Sequence, residues 1–127
     1  MAASPSNRSE WVDRAENDWR TISAVLALPD PPFDIAAFHA QQVAEKYLKA
    51  FLLECGWRLR KTHDLVDLLS DCLKYDATLQ SLRLPCQELT PYVLSGRYPV
   101  AAVTKSGCES AVKAAETVRA EIRKRLA

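Results

Sequence analysis

Three polar side chains with the chemistry to hold a phosphate or a nucleobase are spaced along one stretch of the chain. His39, Gln42 and Lys46 stand at positions i, i+3 and i+7, so on a helix they line up over two turns. A lysine supplies a point charge, a glutamine amide supplies a donor beside an acceptor, and a histidine supplies either. The alternative is a solvated helix face with one or two bonds to adjacent helices.

Arg97 is a further candidate contact for an anion. It stands two residues before Pro99, which ends a helix because proline lacks a backbone donor. A guanidinium at that place can bind a phosphate through two parallel hydrogen bonds. The same side chain could instead cap the carbonyls of its own helix or pair with an acid such as Asp18, and the sequence leaves both alternatives open.

The cysteines do not have the spacing of a metal site. Cys55, Cys72, Cys86 and Cys108 are separated by 17, 14 and 22 positions, without the close pairs that zinc sites use. We expect reduced thiols that fill core positions, since free cysteine is among the most buried residue types. No bound metal or cofactor is predicted apart from a nucleotide ligand.

Length and charge favour one soluble domain. The chain has 127 residues, 48% of them hydrophobic, a net charge of +1 and a pI near 7.7. A net charge this small does not attract nucleic acid or an anionic membrane to the protein as a whole. The basic runs at 58–61 and 123–125 are only weak signals for RNA binding. The start does not resemble a signal peptide, and no apolar run reaches the ~18 residues of a membrane span. We expect a cytoplasmic, single-domain protein with a flexible tail at 1–6.

The element that must position the candidate residues is a long second helix, which ends at Gly56. Its polar side carries the three candidate residues together with Glu45 and Lys49, which we expect to form an i, i+4 ion pair. An opposite apolar arc is predicted to face the core. The arc comprises Ala36, Ala40, Val43, Ala44, Tyr47, Leu48, Ala50, Phe51 and Cys55.

The first and third helices have recognisable beginnings. Asn7 and Glu10 have the form of a capping box, and the helix that follows ends before Pro29. Either Thr62 or Asp64 can cap the third helix.

The last part of the chain predicts two more helices. We expect a turn up to Leu84 and then a helix over about 86–97 that is kinked or locally opened near Pro91. Ser106 and Glu109 form a second capping box for the final helix. The result is an all-α, up-and-down bundle of about five helices.

Three segments, in this order, resemble the HEPN family, the "higher eukaryotes and prokaryotes nucleotide-binding" domains. They are FHAQQVAEKYLKAFL at 38–52, THDLVDLL at 62–69 and LTPYVLSGRYP at 89–99. The resemblance covers nearly the whole chain. It implies a helical bundle that is usually dimeric and is often encoded beside a small nucleotidyltransferase, whose substrate pocket it completes.

Some members of the family resemble ribonuclease toxins, whose signature is an arginine followed four to six residues later by a histidine. Arg97 is followed by YPVAAV, without a histidine, so we predict no catalytic residue there. Arg58 and His63 have the spacing but lie in the connection between the second and third helices. They are the alternative catalytic pair; otherwise His63 helps to start the third helix.

The resemblance and the polar helix face together predict a non-catalytic HEPN-like module that binds a nucleotide, forms a homodimer and partners a small nucleotidyltransferase in a pair of the toxin–antitoxin type. The predicted nucleotide contacts are His39, Gln42, Lys46 and Arg97. Leu53 and Trp57, which a monomer core does not explain, favour a dimer or partner surface. The alternatives are a metal-independent ribonuclease toxin and a purely structural dimerisation module.

Overall fold

The described part of the chain folds into a series of helices. The computed structural model describes residues 7–56, 61–92 and 102–127, and in these ranges the chain forms helices and no strands. This confirms the predicted all-α bundle. The α-helices are α1 (Arg8–Leu26), α2 (Phe33–Glu54), α3 (Leu65–Leu73), α4 (Arg83–Leu89) and α5 (Lys105–Leu126), and 3-10 helices at Ala77–Leu82 and Thr90–Tyr92 flank α4.

Two helix beginnings are set by the predicted capping residues. The Asn7 side chain accepts from the Glu10 backbone N–H at 3.0 Å, which confirms Asn7 as the cap of α1. The Glu10 carboxylate accepts from the Asn7 side-chain amide at 3.2 Å, whereas in a capping box it accepts from the backbone N–H of the capping residue. Asp64 caps α3 by accepting from two backbone N–H groups in its first turn. The Thr62 hydroxyl accepts from the Asp64 N–H instead, so of the two candidates Asp64 is the cap.

The prediction for the region before α4 was wrong. The expected turn up to Leu84 is a 3-10 helix followed directly by α4 from Arg83. The Asp76 side chain caps this 3-10 helix by accepting from the Thr78 N–H at 3.0 Å. Pro85 does not break α4, because it falls in the first turn, where backbone N–H groups have no partner within the helix. The part of the predicted helix beyond Tyr92 lies outside the described residues.

The predicted cap of the last helix also needs correction. α5 is capped by Thr104, whose hydroxyl accepts from the Gly107 N–H at 3.0 Å. Ser106 and Glu109, expected to form the capping box, lie inside the helix and are exposed. Thr104 has the extended backbone that a capping residue needs, whereas Ser106 already belongs to the first turn.

α2 is the central helix, and it packs against α1, α3 and α5. The alanines and large apolar residues predicted to face the core are buried, with Tyr47 and Leu48 fully enclosed. Three polar side chains outside this arc, Gln41, Glu45 and Lys49, are buried as well. The neighbouring helices therefore cover more of the α2 surface than its apolar arc.

The cysteine side chains occupy core positions, as small apolar side chains would. Cys72, Cys86 and Cys108 are buried, Cys55 is half-buried, and all of them are free. Burial raises the pKa of Cys86 to about 12 and raises the pKa of Cys72 as well, so these thiols stay protonated and inert. Within the described ranges, no helix is both long and apolar enough to cross a membrane.

Candidate functional site

One carboxylate of α1 holds two of the predicted contact residues of α2. Asp18 Oδ1 lies 2.7 Å from His39 Nδ1, and Lys46 Nζ donates to Asp18 Oδ2 at 2.5 Å. Asp18 itself is buried, whereas the His39 and Lys46 side chains are 23% and 21% exposed. We call these three residues the Asp18 cluster. It presents two oriented polar groups at the edge of the α1–α2 seam.

Asp18 also sets the charge and the hydrogen-bonding pattern of this cluster. An ionised carboxylate can only accept, so the proton of a neutral His39 ring lies on Nδ1 and Nε2 becomes an acceptor. Lys46 is neutralised by Asp18 but keeps further N–H donors beyond the one used in that bond. The cluster is therefore neutral when His39 is neutral, and it suits a hydrogen-bonded ligand better than a bare anion.

Gln42 is half-buried and does not bond to Asp18. Its Nε2 donates to Gln41 Oε1 at 2.7 Å, which leaves its own carbonyl oxygen and one N–H for another partner. Gln42 lies one turn from both His39 and Lys46 on α2, as the spacing predicted. The three α2 residues thus share one side of the helix.

A second cluster of polar side chains is centred on Glu45, and three of its members, Gln41, Glu45 and Lys49, are buried. The Glu45 carboxylate accepts from Gln41 Nε2 at 3.2 Å and from Lys49 Nζ at 3.2 Å. The Lys49 ammonium also lies 5.2 Å from the centre of the Trp11 ring, a cation–π contact. The predicted Glu45–Lys49 ion pair is confirmed, and its side chains are only 4% and 8% exposed.

His63 is the exposed member of this second group. Its Nδ1 lies 3.1 Å from both oxygens of Glu45, while its side chain is 68% exposed. The buried carboxylate therefore orients an imidazole whose other nitrogen can meet solvent or a substrate. The sequence pattern places Glu45 on the polar side of α2 but does not connect it with His63, since the two residues are 18 positions apart.

A third group joins α1, α2 and α5. Glu16 accepts from Arg119 Nε and Nη2, both at 2.7 Å, and from the Tyr47 hydroxyl at 2.5 Å. Arg123 Nη1 in turn donates to the Tyr47 oxygen at 3.1 Å. The bidentate bond from Arg119 lowers the pKa of Glu16 to about 2, because it favours the ionised carboxylate.

The remaining predicted site residues lie outside the described residues. These are Arg97, Arg58 and Trp57, whereas Leu53 is described and is half-buried on α2. Among the described residues, no group of three or more His, Cys, Asp or Glu side chains is arranged to hold a metal ion.

Comparison with known proteins gives a family and a fold. The sequence model of the HEPN domain matches residues 9–125. The structure is similar to TT1696 from Thermus thermophilus, with 26% sequence identity, coverage of 94% of this chain and 98% of that chain, and a TM-score of 0.79. It shares its fold with ST0689, an archaeal HEPN homologue, at 18% identity, 97% and 100% coverage and a TM-score of 0.76. No curated protein matches the sequence. Because the family match spans nearly the whole chain, this protein belongs to the HEPN domain family.

Proposed function

We propose that this chain is a non-catalytic HEPN module that binds a nucleotide on the polar side of α2, forms a homodimer and partners a small nucleotidyltransferase. The observation that supports it is the Asp18 cluster. One buried acid fixes His39 and Lys46 in place while both side chains stay partly open to a ligand. Side chains held in this way lose little rotamer freedom when they bind.

Each α2 residue has a role in this proposal that its remaining hydrogen-bonding groups allow. His39 Nε2 accepts a hydrogen bond from a base amino group or a ribose hydroxyl, and the Gln42 amide reads a base edge. Lys46 donates to a phosphate oxygen with the N–H groups that Asp18 does not use. Because Asp18 cancels the charge of Lys46, Arg97 is the proposed main phosphate contact.

Calorimetric titration with nucleoside triphosphates tests this proposal. We expect Lys46→Met and Gln42→Ala each to weaken binding about tenfold, the loss of roughly one good hydrogen bond. Lys113→Met, which removes an exposed lysine of α5, is the matched control and should bind as the parent does. Equal affinities in the parent and the three variants would place the ligand elsewhere. If the parent bound no nucleotide, only the function of a structural dimerisation module would remain.

The partner proposal rests on the family and has its own test. A homodimer and a bound transferase are expected when the chain is co-expressed with a nucleotidyltransferase encoded beside it and purified through a tag on either protein. Recovery of the chain alone, as a monomer in sedimentation, would reject the toxin–antitoxin pairing.

A ribonuclease is the second candidate, and the Glu45–His63 contact favours it. A carboxylate that binds Nδ1 leaves Nε2 of His63 able to take a proton from a ribose 2′-hydroxyl. Arg58, five positions before His63 in the sequence, would supply charge for the phosphate. In this case the protein cleaves RNA without added metal.

The ribonuclease candidate predicts that His63→Ala loses at least about 100-fold in cleavage rate, the usual contribution of a general base. The substitution should be tolerated, because the side chain is mostly exposed. His39→Ala is the control with the other histidine removed, and it should cleave RNA at the parental rate. A parent chain that leaves RNA intact, or a His63→Ala chain that cleaves as fast, would exclude this chemistry.

A further inference from the structure

A cleft outside the Asp18 cluster opens where the start of α1, the middle of α2 and the end of α5 meet. Its volume is about 370 Å³, within the range of ~300–1,000 Å³ that small-molecule sites occupy. Ser9 lines it, and Ser9 lies nine positions before Asp18 on α1, which corresponds to about 14 Å along the helix axis. The cleft is therefore a separate surface from the proposed nucleotide site.

Arg8 forms one polar wall of this cleft. Its Nη1 donates to the Leu126 carbonyl at 2.7 Å, and its Nε lies 3.4 Å from a Glu54 carboxylate oxygen. These contacts hold the guanidinium across the gap between α1 and α5. A guanidinium has several N–H donors, so donors remain for a ligand oxygen.

Arg123 and Tyr47 also line the cleft. Its Nη1 donates to the Tyr47 hydroxyl at 3.1 Å and lies 3.6 Å from Glu16 Oε1. The hydroxyl gives its own proton to Glu16, so it is fixed as an acceptor from Arg123. The second guanidinium is thus also oriented before any ligand arrives.

The charges around the cleft favour an anion. Arg8, Arg119 and Arg123 carry three positive charges and their partners Glu16 and Glu54 carry two negative charges, so these five side chains together carry one net positive charge. Both guanidiniums that line the cleft are exposed enough to be reached from solvent. An oxyanion between them would gain charge-assisted hydrogen bonds.

Another part of the lining is apolar and fits the body of a ligand. Val12 and Leu126 line the cleft from α1 and α5. We propose that this cleft binds a small organic molecule that carries one oxyanion group, a phosphate or a carboxylate, on an apolar or aromatic body. The two guanidiniums take the oxyanion, and the apolar wall takes the body.

Calorimetry with simple probes tests the cleft on the full chain. Phenyl phosphate and benzoate distinguish the two oxyanions, and inorganic phosphate and phenol are the controls. We expect one of the two aryl anions to bind at least about tenfold more tightly than inorganic phosphate, which lacks an apolar body, and than phenol, which lacks a charge. Failure of both aryl anions to bind more tightly than these two probes would overturn the proposal.

Variants then locate the binding. Arg8→Gln and Arg123→Gln should each weaken binding of the better probe at least about tenfold. Arg20→Gln, on the exposed surface of α1, is the control and should leave it unchanged. Arg8→Gln removes no contact to Tyr47 or Glu16, so it tests the site even if Arg123→Gln disturbs folding. Parental affinity in Arg8→Gln would overturn the proposal.

Discussion

Replacing Glu45 with glutamine is expected to lower the free energy of unfolding by about 3 kcal/mol, because it leaves the Lys49 ammonium buried without a counter-charge. Lys49 would keep the Trp11 ring and a neutral amide oxygen, and a cation–π contact offsets only a small part of the desolvation of a buried ammonium. His63 would lose the carboxylate that orients it. Urea unfolding of the parent and the variant measures the difference.

A double substitution separates the lost charge pair from lost packing. Glu45→Gln combined with Lys49→Met removes both charges, so its stability should return to within about 1 kcal/mol of the parent. Glu54→Gln is the control on the same helix; its surface pair with Arg8 at 3.4 Å should contribute under about 1 kcal/mol. Lys49→Met alone is measured as well. If the stability lost by the double variant equalled the sum of the losses in Glu45→Gln and Lys49→Met, the two charges would not act as a pair.

Glu16→Gln is expected to cost about 2 kcal/mol at pH 7, since one carboxylate there connects α1 to both α2 and α5. The folded protein holds the pKa of Glu16 at about 2, below its ordinary value of 4.5. The stabilisation is therefore fully present above about pH 4.5 and is lost as the pH falls towards 2. The free-energy difference between parent and variant should shrink over this same interval.

Chemical unfolding at a series of pH values between 7 and 2 measures that difference. Glu116→Gln, an exposed glutamate of α5, is the matched control and should be as stable as the parent throughout. A Glu16→Gln difference that stayed constant down to pH 2 would mean that the carboxylate stabilises the fold by packing and not by its charge.

The fold could be predicted largely from local patterns. Apolar spacing indicated the helices, and the side chains of Asn7 and Asp64 set helix beginnings through bonds to residues two or three positions away. The errors came from local alternatives: Thr104 and Ser106 are both plausible capping hydroxyls, and Pro85 indicates a helix break unless it falls in a first turn. A sequence pattern alone does not choose between such neighbours.

The site could be predicted only in part, because its partners are distant in sequence. Helical spacing placed His39 and Lys46 on one side of α2, but Asp18, which binds both, lies 21 and 28 positions away. Helical spacing predicts the ion pair of Glu45 and Lys49 but not its burial, because charged residues are rarely buried unless they are paired. Burial of a pair depends on the elements that cover it, which the pattern of one helix does not reveal.

The proposed function depends on a ligand lying against the Asp18 cluster. A titration of the ¹⁵N-labelled chain with ATP, followed by two-dimensional ¹H–¹⁵N spectra, tests this most directly. We predict that the largest chemical-shift changes occur at the amide signals of His39, Gln42 and Lys46. Unchanged signals for these three residues at saturating nucleotide, or changes confined to other helices, would contradict the account.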